Sequence, residues 1–184
     1  MEIERKFTVK ELPDNLDSCP FHRIEQAYLN VRPAIRVRRE DDIYYMTYKA
    51  SRQESEPALM NGEPSPIGQT EYNMPLDAGS YEHMAAKADG NVIRKKRYIL
   101  PLNEGAFSDE FLLSEEGLKA AIENNEIKIE LDVFEAPFDG RILAEVEFPS
   151  EAAANNYRPA DWFDKDVTGD PGYSNSQMSI EKLF

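Results

Sequence analysis

Alternation of apolar and polar residues runs through most of this chain, and a period of two residues is typical of β-strands. In the first such segment, Ile3, Phe7 and Val9 lie on one face, and charged residues fill the other. Eight segments share the pattern and are predicted as strands: Met1–Val9, Phe21–Asn30, Ala34–Glu40, Ile43–Ala50, Ile67–Met74, Asn91–Leu100, Glu126–Phe134 and Arg141–Phe148.

Three other segments have the composition of helices. We predict helices over Ala78–Asp89, over Ser114–Asn125 with Ser114 as the N-cap, and over Ser174–Leu183. The polar segment Gln53–Ser65, rich in Glu and Pro, is predicted as a loop. No internal repeat and no linker interrupts the chain, so residues 1–184 are expected to form a single domain.

The polar face of several predicted strands carries charges of both signs. Lys128, Glu130 and Asp132 alternate with apolar residues in one strand, and Glu145 and Glu147 do so in another. A β-sandwich with one face in solvent would show this pattern. The scarcity of Ser and Thr on these faces favours a second arrangement, a closed barrel with the charged faces lining a water-filled bore and the helices covering the apolar outside.

Composition narrows the class of protein. Of 184 residues, 41% are hydrophobic and 30% charged, which is typical of a globular chain. The net charge of −14 argues against non-specific nucleic-acid binding, and no window approaches the ~18 apolar residues of a membrane helix. Because the N-terminus has no apolar secretory segment and Cys19 is the only cysteine, we expect a cytoplasmic protein that binds neither nucleic acid nor membrane.

The chemistry-bearing residues begin in the first strand. Glu2, Glu4 and Lys6 share one face, and the two carboxylates would lie ~7 Å apart, close enough to share a hydrated divalent cation. Oxygen ligands of this kind suit Mg²⁺ or Mn²⁺. Two clusters of basic residues, around Arg36 and around Lys95, indicate either a local anion site in an otherwise acidic chain or two strand faces exposed to solvent.

In their order along the chain, these segments resemble the CYTH family, the triphosphate tunnel metalloenzymes, which include class IV adenylate cyclases and thiamine triphosphatases. The first is the E-x-E-x-K motif of that family, here Glu2 to Lys6. The further segments that match are Ile24–Leu29, Ile35–Arg39, Tyr48–Lys49, Glu71–Tyr72, Lys95–Tyr98, Glu130–Phe134, Ala144–Phe148, Asp166–Asp170 and Tyr173–Asn175. The resemblance implies a mainly β, α+β fold: an eight-stranded antiparallel closed tunnel-like barrel with covering helices, in a single CYTH domain.

The resemblance also assigns roles, position by position. It implies basic residues that bind phosphate, and these are Lys6, Arg36, Arg38, Lys49, Lys95, Arg97 and, near the C-terminus, Lys165. It implies acidic residues that hold Mg²⁺ or Mn²⁺, and these are Glu2, Glu4, Glu71, Glu130, Asp132, Glu145 and Glu147. The catalytic set is then Glu2, Glu4, Lys6, Glu145 and Glu147.

Other residues are expected to lie outside the site. Arg5 and Arg39 have the opposite parity to their motif neighbours and should point away from the bore. Tyr28 is expected to pack, and His22 has no expected role.

The implied reaction is metal-dependent hydrolysis of a small triphosphate, with inorganic triphosphate the leading substrate. Three alternatives stay open: a class IV adenylate cyclase, a thiamine or nucleoside triphosphatase, and a non-catalytic binder of phosphorylated metabolites. A small triphosphate is the expected partner, and the sequence leaves a homodimer open.

Overall fold

The computed structural model describes residues 2–14, 16–51 and 68–183, in which strands dominate. The strands are β1 (Glu2–Val9), β2 (Phe21–Val31), β3 (Ala34–Glu40), β4 (Ile43–Ser51), β5 (Gly68–Leu76), β6 (Ile93–Pro101), β7 (Lys128–Phe134), β8 (Ile142–Glu147) and β9 (Phe163–Asp166). The helices are α1 (Ala78–Ala85), α2 (Asp109–Ser114), α3 (Leu118–Glu123), α4 (Glu151–Asn156) and α5 (Asn175–Ser179).

All nine strands join one antiparallel sheet in the order β5-β4-β3-β2-β6-β7-β8-β1-β9. β1 pairs with β8 along most of its length, and its first residues also pair with β5, Glu2 opposite Gln69 and Ile3 opposite Gly68. The sheet has one strand more than predicted. The missed strand, β9, is four residues long and reads Phe-Asp-Lys-Asp, so it contains too few alternating positions to be recognised.

The strand β5 and the helix α1 differ from their predicted bounds. β5 continues through Pro75, beyond its predicted end at Met74, and Pro75 lies opposite Tyr45 of β4. A proline is tolerated there because, within the described ranges, that part of β5 pairs with β4 alone, so no ladder hydrogen bond is lost on the other side. α1 ends at Ala85, earlier than the predicted Asp89, and the predicted loop Gln53–Ser65 lies mostly outside the described residues.

The predicted helix Ser114–Asn125 is wrong in its start and in its cap. Two short helices occupy this region, and Ser114 is the last residue of the first one. Ser108 is the N-cap, because its side chain accepts a hydrogen bond from the Phe111 amide. Gly117, with φ at +85°, separates the two helices. The predicted C-terminal helix Ser174–Leu183 is present but shorter: Ser174 is its N-cap, and it ends at Ser179.

The apolar faces of the strands point outward and are covered by helices and connecting segments, as predicted for the barrel arrangement. Leu131, Ala144 and Val146 are fully buried in a cluster that also contains Leu118 of α3. Tyr81 of α1 covers Ala27 and Val37 in the same way. Within the described ranges, no helix combines the length and apolar character needed to cross a membrane.

A second apolar cluster lies on the inward faces of four strands. Its members are Tyr28, Ile93, Phe134 and Leu143, one each from β2, β6, β7 and β8, with Phe138 and Met178 of α5 packed against them. This layer fills one end of the space that the sheet surrounds, and the charged side chains occupy the rest of it.

Candidate active site

A cavity of about 410 Å³ lies inside the curved sheet, and its walls are mostly charged side chains. Every strand from β1 to β8 contributes to it. Among the described residues its Lys and Arg members are Lys6, Arg32, Arg36, Arg38, Lys49, Arg97 and Lys128. Its Glu members are Glu2, Glu4, Glu40, Glu71, Glu130, Glu145 and Glu147. The seven positive and seven negative groups cancel in formal charge, yet they are not evenly mixed.

Strand parity decides which charged residues reach the cavity. Arg36 and Arg38 line the cavity from β3, whereas Arg39, the residue after Arg38, is exposed. In β1 the side chain of Arg5 points outward, where Nη1 donates to the Ala154 carbonyl at 3.1 Å and Nη2 contacts Asp166. The prediction that Arg5 and Arg39 point away from the bore is confirmed.

The wall formed by β3 holds two buried guanidinium groups with little negative charge beside them. Arg38 Nη1 lies 3.9 Å from Glu40 Oε2, and within the described ranges Arg36 has no carboxylate within 4.0 Å. The Nε atom of Arg36 is buried and donates no hydrogen bond. Burial and the charge of neighbouring Arg36 lower the pKa of Arg38 below the usual arginine value. This wall therefore offers buried positive charge and an unused hydrogen-bond donor to an anion.

Arg97 of β6, two strands from β3 in the sheet, contacts three carboxylates. Its guanidinium contacts Glu130, donates to Asp132 Oδ1 and Oδ2 at 2.7 Å and to Glu145 Oε2 at 2.6 Å. Burial acts to lower its pKa, but these three carboxylates outweigh burial and raise it well above the usual value. Arg97 is thus held rigidly before any ligand arrives.

Lys6 and Glu145 face each other across the β1–β8 pair, with Lys6 Nζ 2.8 Å from Glu145 Oε1. Although burial acts to raise the pKa of Glu145, the charges of Lys6, Arg97 and Lys95 hold it well below the usual value. Glu145 is therefore ionised and its oxygens are shared between two cations.

Glu2, Glu4 and Glu71 gather around the ammonium of Lys49. Lys49 Nζ contacts Glu2 and lies 3.8 Å from Glu4 Oε1 and 3.7 Å from Glu71 Oε2. Burial and the charges of Glu4 and Glu71 raise the pKa of Glu2 to about 7, although Lys49 acts in the opposite direction. The Oε2 atom of Glu71 is buried and accepts no hydrogen bond. Three carboxylates thus share one ammonium group. We call Glu2, Glu4 and Glu71 the carboxylate corner of the cavity, and its excess negative charge would favour a further cation.

Glu147 is the most exposed of the seven cavity glutamates and lies opposite Glu4 in the β1–β8 register. Within the described part of the chain it has no cationic group within 4.0 Å, and burial together with Glu130 and Glu4 raises its pKa. Glu4 and Glu147 therefore present adjacent carboxylates to the cavity.

The donor chemistry of this corner fits a hard divalent cation. Carboxylate oxygens are the ligands that Mg²⁺ and Mn²⁺ prefer, and Glu71 Oε2 has unused acceptor capacity. Among the described residues, no three His, Cys, Asp or Glu side chains converge closely enough to form a complete metal site as they stand. The Lys49 ammonium lies among Glu2, Glu4 and Glu71, and Glu147 has no cationic group within 4.0 Å among the described residues.

Three predicted site residues do not line the cavity. Lys95 and Asp132 are 1% and 0% exposed and contact each other beneath Arg97, in a position that no ligand in the cavity reaches. Burial and the charge of Arg97 lower the pKa of Lys95 to about 8. Lys165 is exposed on β9, the strand beyond β1, so the structure gives it no place in the cavity wall.

The cavity also contains residues that the sequence analysis had set aside. His22 lines it and its Nδ1 lies 2.7 Å from Asp41 Oδ2, and Tyr28, expected to pack, lines it as well as packing. Lys128 and the Ser174–Ser176 segment complete the wall. Strand parity could have revealed both His22 and Lys128. His22 lies opposite Arg97 in the β2–β6 register, and Lys128 lies two residues before Glu130 in β7.

Comparison with known proteins supports the resemblance that the order of the motifs indicates. No family model matches the chain. An inorganic triphosphatase of Nitrosomonas europaea is 28% identical over 183 residues, covering 97% of each chain, and one of Acetivibrio thermocellus is 27% identical over 180 residues, covering 96% of this chain and 92% of the relative. A crystal structure of an inorganic triphosphatase superposes with a TM-score of 0.62 at 27% identity, covering 99% of this chain and 96% of the other. These similarities in sequence and fold, which extend over nearly the whole chain, support a triphosphate tunnel family of the CYTH type.

Proposed function

We propose that this protein is a metal-dependent triphosphatase that hydrolyses inorganic triphosphate to pyrophosphate and phosphate in the charged cavity. The observation that carries the proposal is the pair Arg36 and Arg38, two buried guanidinium groups that donate no hydrogen bond to a carboxylate among the described residues, the carboxylate of Glu40 lying 3.9 Å from Arg38 Nη1. Polyphosphate oxygens would supply the missing acceptors, and Arg suits them because its fork of donors matches phosphate geometry. The full-length similarity to two inorganic triphosphatases supports the same reaction.

Charge balance supports a requirement for metal. The Lys, Arg and Glu groups of the cavity sum to zero, while a triphosphate carries about four negative charges near neutral pH. A site of zero charge would accept that anion poorly unless cations accompany it. Mg²⁺ or Mn²⁺ is the expected cofactor, and it would neutralise phosphate oxygens and polarise the bond to the leaving group.

The residues that would hold the metal are Glu4 and Glu147, with Glu2 and Glu71 beside them. Their oxygens are hard donors, and Glu147 lacks a cationic partner among the described residues. The same carboxylate oxygens would accept hydrogen bonds from an attacking water and so orient it. Glu130 and Glu145 are bound to Arg97 and would act mainly by fixing that cation.

The remaining cations would bind phosphate in two ways. Arg36 and Arg38 would accept the anion directly, while Lys6, Lys49 and Arg97 would share it with the carboxylates that already contact them. Lys95 and Asp132 would support Arg97 from below, since both are sealed from the cavity. The predicted role of Lys165 as a further phosphate contact has no support from its exposed position.

We also propose that the sheet forms a closed tunnel and that residues 1–184 make a single CYTH domain. The pairing of β1 with both β8 and β5 supports closure, because it would join the two ends of the strand order. The apolar layer around Tyr28, Ile93 and Met178 would then close one end of the bore.

A panel of triphosphates tests the reaction. We expect purified protein with Mg²⁺ or Mn²⁺ to release phosphate rapidly from inorganic triphosphate, slowly from ATP and thiamine triphosphate, and to form little cyclic AMP. A chelator should stop the release, and restoring the metal should recover it. A catalytic efficiency for cyclic AMP equal to or above that for triphosphate hydrolysis would establish the cyclase instead, and binding without turnover of any substrate would establish the non-catalytic binder.

A further inference from the structure

Gln26 is a polar side chain that is 0% exposed in the middle of β2, on the same face as the cavity residues. It lies opposite Arg38 in the β2–β3 register, yet it does not line the cavity. A buried amide must satisfy its hydrogen bonds inside the protein, so its partners indicate its purpose.

The partners of Gln26 lead to both arginines of the β3 wall. Gln26 Oε1 accepts a hydrogen bond from Arg38 Nε at 3.0 Å, and Gln26 Nε2 lies 3.5 Å from the hydroxyl of Tyr28. Tyr28 lies opposite Arg36 in the β2–β3 register, and although burial acts to lower the pKa of Arg36, Tyr28 and Glu71 raise it. On the far side, Arg38 Nη1 donates to the Tyr45 hydroxyl at 3.0 Å. The groups that hydrogen-bond to Arg38 are thus uncharged, and the carboxylate of Glu40 lies further away, at 3.9 Å from Arg38 Nη1.

Arg97 shows that the fold can hold an arginine in another way. Three carboxylates, those of Glu130, Asp132 and Glu145, surround it and cancel its charge. A carboxylate at position 26 would reach Arg38 Nε as the amide does and would cancel its charge in the same manner. The amide fixes the direction of the guanidinium and leaves its charge in place.

We propose that Gln26 is a positioning residue whose neutrality matters: it fixes Arg38, and through Tyr28 also Arg36, while keeping both charges available for a polyphosphate chain. This proposal rests on the proposed function of the cavity. An amide at this position orients the guanidinium without reducing its positive charge, whereas a carboxylate would do both at once.

The decisive comparison is between Gln26→Glu and Gln26→Leu. The Glu variant keeps the contact with Arg38 Nε but neutralises the charge of Arg38. We therefore expect the KM for inorganic triphosphate to rise about tenfold or more. We expect the melting temperature of its ligand-free form to hold or increase, since a carboxylate now faces two buried cations. The Leu variant loses the contact but not the charge, so its melting temperature should fall while its KM rises less than that of the Glu variant.

A purely structural role predicts another order. If Gln26 only fills space, each variant should lose function in proportion to its loss of stability, and Gln26→Glu should not combine unchanged stability with weak binding. A KM of the Glu variant within twofold of the original protein overturns the proposal, and so does a Glu variant that fails to fold. The matched control is Gln177→Glu, which makes the same chemical change on the exposed surface of α5 and should leave both quantities unchanged.

A second variant and a turnover-free measurement keep this test separate from the proposed function. Tyr28→Phe keeps the ring in its apolar cluster but removes the hydroxyl between Gln26 and Arg36, and we expect KM to rise severalfold with little change in melting temperature. Stabilisation by millimolar inorganic triphosphate is measured both in the presence of a chelator and in the presence of Mg²⁺. If the original protein is stabilised but hydrolyses nothing, and Gln26→Glu abolishes the stabilisation, the proposed reaction fails and Gln26 keeps its role. If triphosphate stabilises neither protein, the role of Gln26 is refuted as well.

Discussion

At the scale of single residues, the side of the strand that a residue occupies decides its chemistry more than its residue type does. Arg38 and Arg39 are neighbours of identical type. Arg38 is 7% exposed and bound to Gln26 and Tyr45, whereas Arg39 is exposed and donates from Nε to the Asp41 carbonyl at 2.8 Å. Burial multiplies the effect of a charge because less water screens it.

The two arginines therefore make a matched pair for mutation. We expect Arg38→Ala to weaken triphosphate binding by ~2 kcal/mol or more, which corresponds to a rise in KM above tenfold, because a charge-assisted hydrogen bond in a buried site is lost. Arg39→Ala removes the same charge from the outer surface and should change KM by less than twofold. Steady-state kinetics with inorganic triphosphate checks both, and equal effects would contradict the inward position assigned to Arg38.

At the scale of elements, the short strand β9 is attached to β1 by side chains as well as by its backbone. Asp166 contacts Arg5 of β1 and accepts hydrogen bonds from the Thr168 amide at 2.9 Å and its hydroxyl at 2.5 Å. Arg5 also donates to the carbonyls of Ala154 and Tyr157 at the end of α4. This outward-facing cluster joins three elements on the side of β1 opposite to Glu4 and Lys6.

The Asp166 cluster predicts a pH-dependent contribution to stability. Burial acts to raise the pKa of Asp166, but hydrogen bonds from Thr168 and Arg5 outweigh it and hold the pKa below the usual value. We expect Asp166→Asn to lower the free energy of unfolding at pH 7 by ~1 kcal/mol, a modest loss because the side chain is 40% exposed and solvent screens the pair. Since a carboxyl with a depressed pKa stabilises only while ionised, the difference should shrink as pH falls below about 4.

Denaturant titrations at several pH values measure this difference. Asp164→Asn is the control on the same strand, because the one side-chain contact of Asp164 within the described part of the chain is with the Thr8 hydroxyl, at 3.3 Å. The control should cost less at pH 7. A loss from Asp166→Asn that is the same at pH 3 as at pH 7 would show that packing, and not the charged form of Asp166, provides the stability.

At the scale of the whole molecule, an acidic protein of net charge −14 has its cations and anions segregated around one cavity. The cations of the cavity differ in how closely carboxylates approach them. Lys6, Lys49 and Arg97 each contact carboxylates, whereas Arg38 lies 3.9 Å from Glu40 and Arg36 has no carboxylate within 4.0 Å among the described residues. Ligand binding should therefore stabilise the native protein mainly through the β3 wall and through any metal at the opposite corner.

Thermal unfolding tests this arrangement in the whole protein. At equal millimolar concentration with Mg²⁺, we expect the melting temperature to rise most with triphosphate, less with pyrophosphate and least with phosphate. The longer chain can contact both the arginine wall and the metal corner, and each kcal/mol of linkage raises the melting temperature of a protein of this size by about 2–4 °C. Sodium chloride at matched ionic strength is the control. A rise with triphosphate no larger than that with chloride would contradict a polyanion site.

Much of the fold could be predicted because alternation is a local property. The bounds of β3 and the positions of the other long strands follow from a period of two, and the same period assigned Arg5 and Arg39 to the outside. Local rules failed where signals were short or competed. β9 has four residues, and the serine that caps the helix before Gly117 is Ser108, whereas Ser114 is the predicted cap.

The sequence by itself determined which residues share a strand face and, through the resemblance, which family and charges to expect, because side-chain parity and motif order are properties of the chain. Only the tertiary structure decided how deep each charge lies and what stands beside it. Lys95 and Asp132 carry the right parity but are sealed beneath Arg97, while His22 and Gln26 gained importance from neighbours on other strands. The physical reason is that register, strand tilt and the apolar layer around Tyr28 set distances between distant segments, and electrostatic interactions depend on those distances and on exclusion of water.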